Sequence, residues 1–246
     1  MKFNILTLFP NMYEALNESI IKRAQEKNII NINIINIRNF SNNKHNKVDD
    51  TPFGGGPGML LKADVLERAL SYVKKNFGKE TYVIYLSPKG KKYNNDMATM
   101  LSKKKNITLI AGHYEGIDQR FIEKYVDEEI SIGDYILSGG EIPSMVLVDS
   151  ISRKIEGTLT KESLDDESFE NYLLEYPQYT KPRNFKGMKV PDILLSGNHE
   201  EIKKFKRKLS LKETFLKRKD LIKIAEEEGK LTKEDLEYLK KLSKEE

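Results

Sequence analysis

Short apolar runs alternate with segments of helical spacing through the first half of the chain. Runs such as TYVIYLSP and ITLIAG are almost continuously apolar, which is typical of strands that are covered on both faces of a sheet. The alternation indicates an α/β fold with a mostly parallel sheet. The predicted strands are 3–9, 34–40, 81–88, 107–112 and about 130–137, and the predicted helices are 11–27, 63–75, 95–104, 117–125 and about 141–153.

The second half of the chain loses this alternation. Residues 154–190 are first acidic and then proline-bearing, which is typical of a linker with partial order. From Asn198 onward the spacing is helical, and Thr232 has the position of an N-cap for the last helix. We therefore predict an α/β domain at 1–153, a linker at 154–190 and a small all-helical domain at 191–246.

Basic residues are concentrated in one block of the predicted helical domain. Nine lysines and arginines lie between Lys203 and Lys219 against the single acid Glu213, on a chain whose net charge is only +4. Such a block is typical of a contact with the phosphate backbone of a nucleic acid. A solvated, lysine-rich helix is the alternative interpretation.

Composition excludes several classes of protein. The chain has no cysteine, so disulfides, thiolate metal sites and cysteine nucleophiles are excluded. No apolar stretch is long enough to cross a bilayer, and the apolar run at the N-terminus is too short for a signal peptide. We expect a cytoplasmic protein.

Three loops rich in glycine, proline or serine follow three of the predicted buried strands. They are LSPKG (86–90), AGHYEGID (111–118) and SIGDYILSGGE (131–141). Ligands of open parallel sheets bind at the carboxyl ends of the strands, where such loops converge. One loop of this kind is ordinary turn chemistry, but three together favour a shared pocket. Glycine in such loops lets backbone come close to a ligand.

Common ligand-binding and hydrolytic motifs are absent from the sequence. No GxGxxG opens a helix after the first strand, and no GxxxxGK[ST] occurs. GGGPGM (54–59) is either a flexible surface loop or a lid over a large planar substrate. The histidines have no metal-ligand spacing, and Ser87 and Ser138 have no histidine and acid at the spacing of a serine hydrolase.

Several motifs together resemble one known family. The segments are LTLFPNMYEAL, VDDTPFGGGPGM, LSPKGKK, AGHYEGIDQR, EEISIGDYILSGGEIPSMVLVDSISR, LLEYPQYTKP and LLSGNHEEI. In order and spacing they are similar to the bacterial tRNA (guanine-N1)-methyltransferases, which belong to the knotted SPOUT methyltransferase superfamily. The resemblance extends from residue 3 to about 220.

The resemblance implies that the three loops form a deep trefoil knot that holds S-adenosylmethionine in a bent shape. Knots are very rare, so composition alone does not predict one. The positions that correspond to the cofactor site of the family are Leu86, Ser87, Pro88, Gly112, Glu115, Ser131, Ile132, Gly133, Asp134, Tyr135, Ile136, Leu137, Gly139, Gly140 and Pro143.

The implied reaction transfers a methyl group to N1 of the guanine immediately 3′ of the tRNA anticodon. The resemblance assigns charge stabilisation at O6 to Arg153, proton removal to a linker aspartate, and a hold on the guanine to Glu115. The family places that aspartate directly before a Ser-Phe pair, where this chain has Glu167. The base is therefore either Glu167 or Asp166, and the shorter side chain favours Asp166.

Further expectations concern partners. The resemblance assigns substrate contacts to Gly58 and Met59 and tRNA contacts to Lys203, Lys204 and Arg207. It also implies a homodimer with shared active sites and a supporting Mg²⁺, for which the sequence has no acidic cluster. A knotted 2′-O-ribose methyltransferase and a non-catalytic RNA-binding protein are the rival interpretations, although retention of the acids and Arg153 argues against the second.

Overall fold

A computed structural model describes residues 1–160 and 167–245 of the chain. The chain divides into two compact units, Met1–Thr160 and Lys161–Glu246. Each unit is described by itself.

A five-stranded parallel sheet forms the centre of the first unit. Its strand order is β2-β1-β6-β5-β7, and every neighbouring pair is parallel. The strands are β1 Lys2–Thr7, β2 Asn31–Asn36, β5 Tyr82–Lys92, β6 Asn106–Ile110 and β7 Glu128–Ser131. The pair β3 Asp49–Asp50 and β4 Leu60–Leu61 forms a separate antiparallel ladder at the base of the glycine-rich loop. The predicted parallel α/β architecture is confirmed for this unit.

Helices cover both faces of this sheet. They are α1 Ser19–Glu26, α2 Ala63–Phe77, α3 Asn95–Ser102, α4 Gln119–Tyr125 and α5 Glu141–Arg153. Side chains alternate along each strand, so Ile84 belongs to one buried cluster while Val83 and Tyr85 belong to the other. The two clusters explain why the strands are continuously apolar: both of their faces are covered.

Several predicted elements have different limits in the structure, and the strand predicted at 81–88 continues to Lys92. The strand predicted at 34–40 is Asn31–Asn36, because the Asn36 side chain accepts a 2.9 Å hydrogen bond from the Arg38 amide and starts a 3₁₀ turn. The helix predicted at 11–27 is interrupted at Ser19, which has φ +53°, so a 3₁₀ segment precedes α1. The strand predicted at 130–137 already ends at Ser131.

The second unit is built around helices α6 His199–Lys217, α7 Lys219–Glu227 and α8 Lys233–Glu245. Leu173, from the stretch predicted as a linker, is 3% exposed and packs in one cluster with Leu211 and Ala225. The neighbouring Leu174 amide donates to Thr214 Oγ1 at 2.8 Å. This part of the predicted linker is therefore ordered against the helices. A two-stranded ladder, β8 Asn184–Phe185 and β9 Met188–Lys189, precedes α6.

Candidate ligand-binding site

β5 extends to Lys92, but its pairing with β7 is interrupted between Leu86 and Lys91, so its regular part ends at Leu86 and residues 86–91 form a loop. A cavity of ≈ 260 Å³ lies beside this end of β5 and the carboxyl ends of β6 and β7, where the three predicted loops meet. The predicted cofactor residues that line it are Leu86, Ser87, Pro88, Gly112, Glu115, Ser131, Ile132, Gly133, Tyr135, Ile136, Leu137, Gly139, Gly140 and Pro143. Five of these and the neighbouring lining residues are glycines, at positions 112, 116, 133, 139 and 140, and a glycine leaves its backbone bare. The cavity therefore presents main-chain donors and acceptors together with aliphatic side chains, a lining that suits a small organic ligand.

Glycines allow the strand ends to approach each other at the cavity. The Gly140 amide donates a 2.7 Å hydrogen bond to the Gly112 carbonyl, and a Cβ on Gly140 would lie 2.7 Å from Ala111 Cα. A Cβ on Gly112 would lie 2.7 Å from the Tyr85 ring. No larger residue fits these positions without moving backbone or a buried ring. The Gly139-Gly140 pair is thus explained by close packing of chain against chain.

The third loop crosses the carboxyl end of β5. Its strand, β7, pairs with β5 at one edge of the sheet, whereas β6 lies on the other side of β5. Yet Gly139 forms an antiparallel bridge with His113, directly after β6. Residues 132–138 must therefore pass the end of β5, where the loop 86–91 lies. This crossing brings the three loops together.

A buried carboxylate anchors the start of α5 below these glycines. Glu141 is 2% exposed, and its Oε1 accepts a 2.9 Å hydrogen bond from Thr7 Oγ1 of β1. Beside it, Tyr13 and Ser144 share a 2.8 Å hydrogen bond. Burial raises the pKa of Tyr13, with a smaller contribution from the Glu141 charge, so its hydroxyl stays neutral. Glu141 also lies in the first turn of α5, where the helix dipole favours an anion.

The glycine-rich loop meets the cavity at Glu115. The Glu115 amide donates a 3.0 Å hydrogen bond to the Met59 carbonyl. Gly58 has φ +82°, and a Cβ there would lie 2.6 Å from Glu115 Oε1. The structure therefore brings Gly58 and Met59 together with Glu115 at the cavity wall.

Asp134 is the one predicted cofactor residue that does not line the cavity. Its side chain is 86% exposed and forms a 3.0 Å ion pair with Lys92. Several lining residues are not among the predicted cofactor residues. All of them except Tyr85 and Ile130 lie inside the three predicted loops, so membership of a loop is the sequence feature that indicates them. The additional lining residues are Tyr85, His113, Tyr114, Gly116, Ile130 and Ser138.

Arg153 lies at the opposite end of α5 from the cavity. The cavity lies beside the first residues of α5, whereas Arg153 is the last of its 13 residues. A helix of that length is about 20 Å long. Asp166 and its neighbour Asp165 lie outside the residues that the structure describes, and Glu167 belongs to the second unit.

The basic residues of α6 differ in their contacts. Lys203 and Lys204 are exposed, and Lys204 lies 3.3 Å from Glu201. Arg207 instead forms a 2.9 Å ion pair with Asp235, which is 5% exposed, and donates to the Lys230 carbonyl. Burial alone would raise the pKa of Asp235, but hydrogen bonds from Arg207 and the Thr232 amide hold it below the usual value. Arg207 thus joins α6 to α8.

A wider recess of ≈ 960 Å³ lies beside β4 and α4. Its wall includes exposed side chains of both signs, such as Asp64, Arg120 and Lys124, and the fully exposed loop residue Phe53. It lacks the convergent backbone of the smaller cavity. We therefore regard the cavity at the strand ends as the better candidate despite its smaller volume.

Two kinds of feature are absent from the part of the chain that the structure describes. Within it, no three histidine, aspartate or glutamate side chains gather as ligands for a metal ion. Nor does that part contain a helix with the length and apolar character needed to span a bilayer.

The parallel sheet and the backbone-lined cavity at its carboxyl ends define an α/β protein with a small-ligand site. Comparison with known proteins is more specific. Residues 1–224 match the family described as tRNA (Guanine-1)-methyltransferase TrmD. The chain belongs to this family of methyltransferases, which confirms the resemblance seen in the sequence.

Similar proteins match over nearly their full length. The tRNA (guanine-N(1)-)-methyltransferase of Caldicellulosiruptor saccharolyticus is 53% identical over 240 residues, which cover 97% of this chain and 96% of that protein. The protein of the same name from Clostridioides difficile is 51% identical over 230 residues, which cover 92% of this chain and 100% of that protein.

Proposed function

We propose that this protein transfers a methyl group from S-adenosylmethionine to N1 of the guanine immediately 3′ of the anticodon in tRNA. The observation that carries the proposal is the cavity lined by backbone of three loops, in a chain that belongs to the tRNA (guanine-N1)-methyltransferase family. The rival 2′-O-ribose activity fits the names of the relatives less well. The proposal places the protein in the cytoplasm.

The chain around the cavity is proposed to form the deep trefoil knot of the SPOUT superfamily. Support comes from the third loop, which leaves β7 on one side of β5 and bridges to His113 on the other. Support also comes from Gly90, whose missing side chain lets the loop 86–91 touch the backbone of Glu129 and Ile130. A loop that passes over β5 beside a segment packed this closely on β7 is compatible with a threaded chain.

The lining residues fit S-adenosylmethionine. An adenine ring can be read by main-chain amides and carbonyls of the loop 131–140, while Leu86, Ile136 and Leu137 offer apolar surface. Burial raises the pKa of Tyr85 to about 12, so its hydroxyl is neutral at neutral pH. When bound, the cofactor supplies an electrophilic methyl group on its sulfonium.

Three kinds of side chain then serve the guanine. A linker carboxylate, Asp166 or Glu167, removes the proton from N1 as general base. The guanidinium of Arg153 stabilises the negative charge that develops toward O6, since it stays protonated and presents several donors. Glu115, held against Gly58 and Met59, orients the guanine at the cavity wall.

Each active site is proposed to combine residues of two protomers of a homodimer. The length of α5 separates Arg153 from the cavity of its own chain by about 20 Å, which supports a guanidinium supplied by the partner subunit. An exposed apolar surface suits such an interface. Its residues are Phe9, Met12, Ile142 and Val146, which are 38%, 44%, 49% and 40% exposed.

The second unit is proposed to bind the tRNA backbone. Lys203 and Lys204 are exposed on α6 and can neutralise phosphates without reading sequence. Arg207 supports this surface through Asp235. The resemblance also implies Mg²⁺, although the described residues form no site for it.

The decisive experiment is incubation of the purified protein with labelled S-adenosylmethionine and an unmodified tRNA transcript, followed by nucleoside analysis. We expect label in 1-methylguanosine at the position 3′ of the anticodon. Label in a 2′-O-methylated nucleoside would favour the ribose methyltransferase. No methylation together with no thermal shift at saturating S-adenosylmethionine would favour a non-catalytic RNA-binding protein.

A further inference from the structure

A short hairpin in the second unit exposes large apolar side chains among basic ones. Strands β8 and β9 pair Asn184 with Lys189 and Phe185 with Met188. Phe185 and Met188 are 55% and 66% exposed, and every residue from 181 to 189 is exposed. Neither the cavity nor the basic residues of α6 explain this surface.

The backbone holds the hairpin in a defined shape. Lys186 and Gly187, at the tip, have φ +50° and +90°, and a two-residue hairpin turn of type I′ requires a positive φ at both positions. The Gly187 amide donates to Asn184 Oδ1 at 2.9 Å, and the Val190 amide donates to the Arg183 carbonyl at 2.9 Å. The exposed side chains are therefore presented by an ordered ribbon.

One face of the ribbon combines apolar and cationic groups. Residues directly opposite each other in an antiparallel pair share a face, so Phe185 and Met188 lie side by side. Arg183, two residues before Phe185, lies on the same face. The Lys186 ammonium is 5.6 Å from the centroid of the Phe185 ring. The ring is thus flanked by positive charge.

Charge is entirely of one sign along this segment. Lys181, Arg183, Lys186 and Lys189 are the charged residues between positions 180 and 191, and no acid lies among them. Phe185, Met188 and Arg183 are residue types that protein interfaces also use, but Lys181, Lys186 and Lys189 are of a type depleted there, so the charge of the segment favours a polyanion over a second protein chain. An exposed aromatic ring between lysines suits RNA, because unstacked bases stack on aromatic side chains while cations neutralise the adjacent phosphates.

We propose that this hairpin is an RNA-binding element that stacks an unpaired base on Phe185 and Met188 and contacts the flanking phosphates through Arg183, Lys186 and Lys189. The inference rests on the proposed tRNA substrate and adds a contact outside the cavity and outside α6. A single-stranded loop offers the chemistry that it recognises: an exposed base with a phosphate on each side.

The test uses the full-length protein with an unmodified tRNA transcript. Its dissociation constant is measured by fluorescence anisotropy at several salt concentrations for the Phe185→Ala/Met188→Ala and Lys186→Gln/Lys189→Gln double variants. We expect the first to bind roughly tenfold more weakly, with an unchanged salt dependence. The second should lower the slope of log K against log salt by about 1 to 2. The single variant Phe185→Tyr keeps an aromatic ring and Met188, and it should bind tRNA as tightly as the unmodified protein.

Matched controls lie in the first unit. Met100→Ala removes a 40% exposed methionine from α3, and Lys75→Gln removes an exposed lysine from α2. Both should bind tRNA like the unmodified protein. Cofactor thermal shift and the oligomeric state in analytical ultracentrifugation should be the same for all variants.

Two results would overturn the inference. One is tRNA affinity within twofold of the unmodified protein for both hairpin variants. The other is a loss of the dimer in either variant, which would make the hairpin an interface between copies. These results are distinct from failure of the proposed function, which would appear as an unmodified protein that methylates no tRNA guanine.

Discussion

The amide of Gly140 donates a 2.7 Å hydrogen bond to the carbonyl of Gly112. Between these two residues the chain passes through β7, which lies at the edge of the sheet on the far side of β5 from β6. This contact joins the third loop to the second and closes one side of the cavity. Its short approach depends on the absence of a side chain at position 140. A substitution of Gly140 therefore tests whether the second and third loops meet at the cavity as described.

Gly140→Ala should impair both cofactor binding and stability. The added Cβ would lie 2.7 Å from Ala111 Cα and 2.8 Å from the Gly112 amide, so backbone has to move. Overpacking of this kind costs about 1–3 kcal/mol. Chemical denaturation would measure that loss, and the thermal shift with S-adenosylmethionine should become much smaller. Gly197→Ala is a control for backbone strain alone, since Gly197 has φ +75° while nothing lies within 4 Å of its Cβ position. It should lose some stability but keep the full thermal shift with S-adenosylmethionine, and an equal loss of that shift would contradict the packing explanation.

Replacement of the general base should abolish methyl transfer and leave cofactor binding intact. Asp166→Ala and Glu167→Ala are compared in single-turnover assays with saturating tRNA. The residue that removes the N1 proton should cost at least about 100-fold in rate, the lower range for general base catalysis, while its neighbour costs little. If both variants turn over at the rate of the unmodified protein, the linker does not supply the base.

Arg153 should act on the cavity of the other protomer. Arg153→Ala and Gly140→Ala are each expected to be nearly inactive. When the two variants are co-folded, the mixed dimer contains one intact cavity that faces one intact arginine, so activity should partly return. Co-folding of Arg153→Ala with itself serves as the control. An inactive mixture that is shown to contain the mixed dimer would place Arg153 and its cavity in the same chain.

The Arg207–Asp235 pair should stabilise the second unit in a pH-dependent way. Arg207→Gln removes charged hydrogen bonds to a buried carboxylate and should lower the free energy of unfolding by about 2 kcal/mol. Because the pKa of Asp235 is lowered in the folded state, this contribution is present above its ordinary value of 3.8 and is lost as pH falls through the folded-state value.

Denaturation of the full chain between pH 3 and 7 checks this pH dependence, and Asp235→Asn should remove it. Lys203→Gln is the matched control, since Lys203 is exposed on the same helix. It should weaken tRNA binding without changing stability. An Arg207→Gln variant as stable as the unmodified protein would instead leave Arg207 available as a phosphate contact.

Much of the candidate site could be predicted because its residues are close in sequence. The loop 131–140 carries its glycines, its apolar residues and its position after a strand in one short segment, and the family motifs contain the same letters. Asp134 could not be separated from its neighbours in that way. Its side chain points to Lys92, and that contact depends on the extended pairing of β5 with β7.

By itself the sequence determined the parallel α/β class and the three loops, since apolar periodicity and glycine content are local properties of the chain. The motifs that the sequence shares with known proteins also determined the family. Only the tertiary structure decided which distant groups meet. Thr7 and Glu141 are 134 positions apart, and their hydrogen bond exists because β1 lies next to β6 and the third loop crosses the end of β5. Arg153 likewise lies far from the cavity of the same chain, because the whole length of α5 separates them. Such relations depend on the path of the chain through space, which no local pattern of residue types encodes.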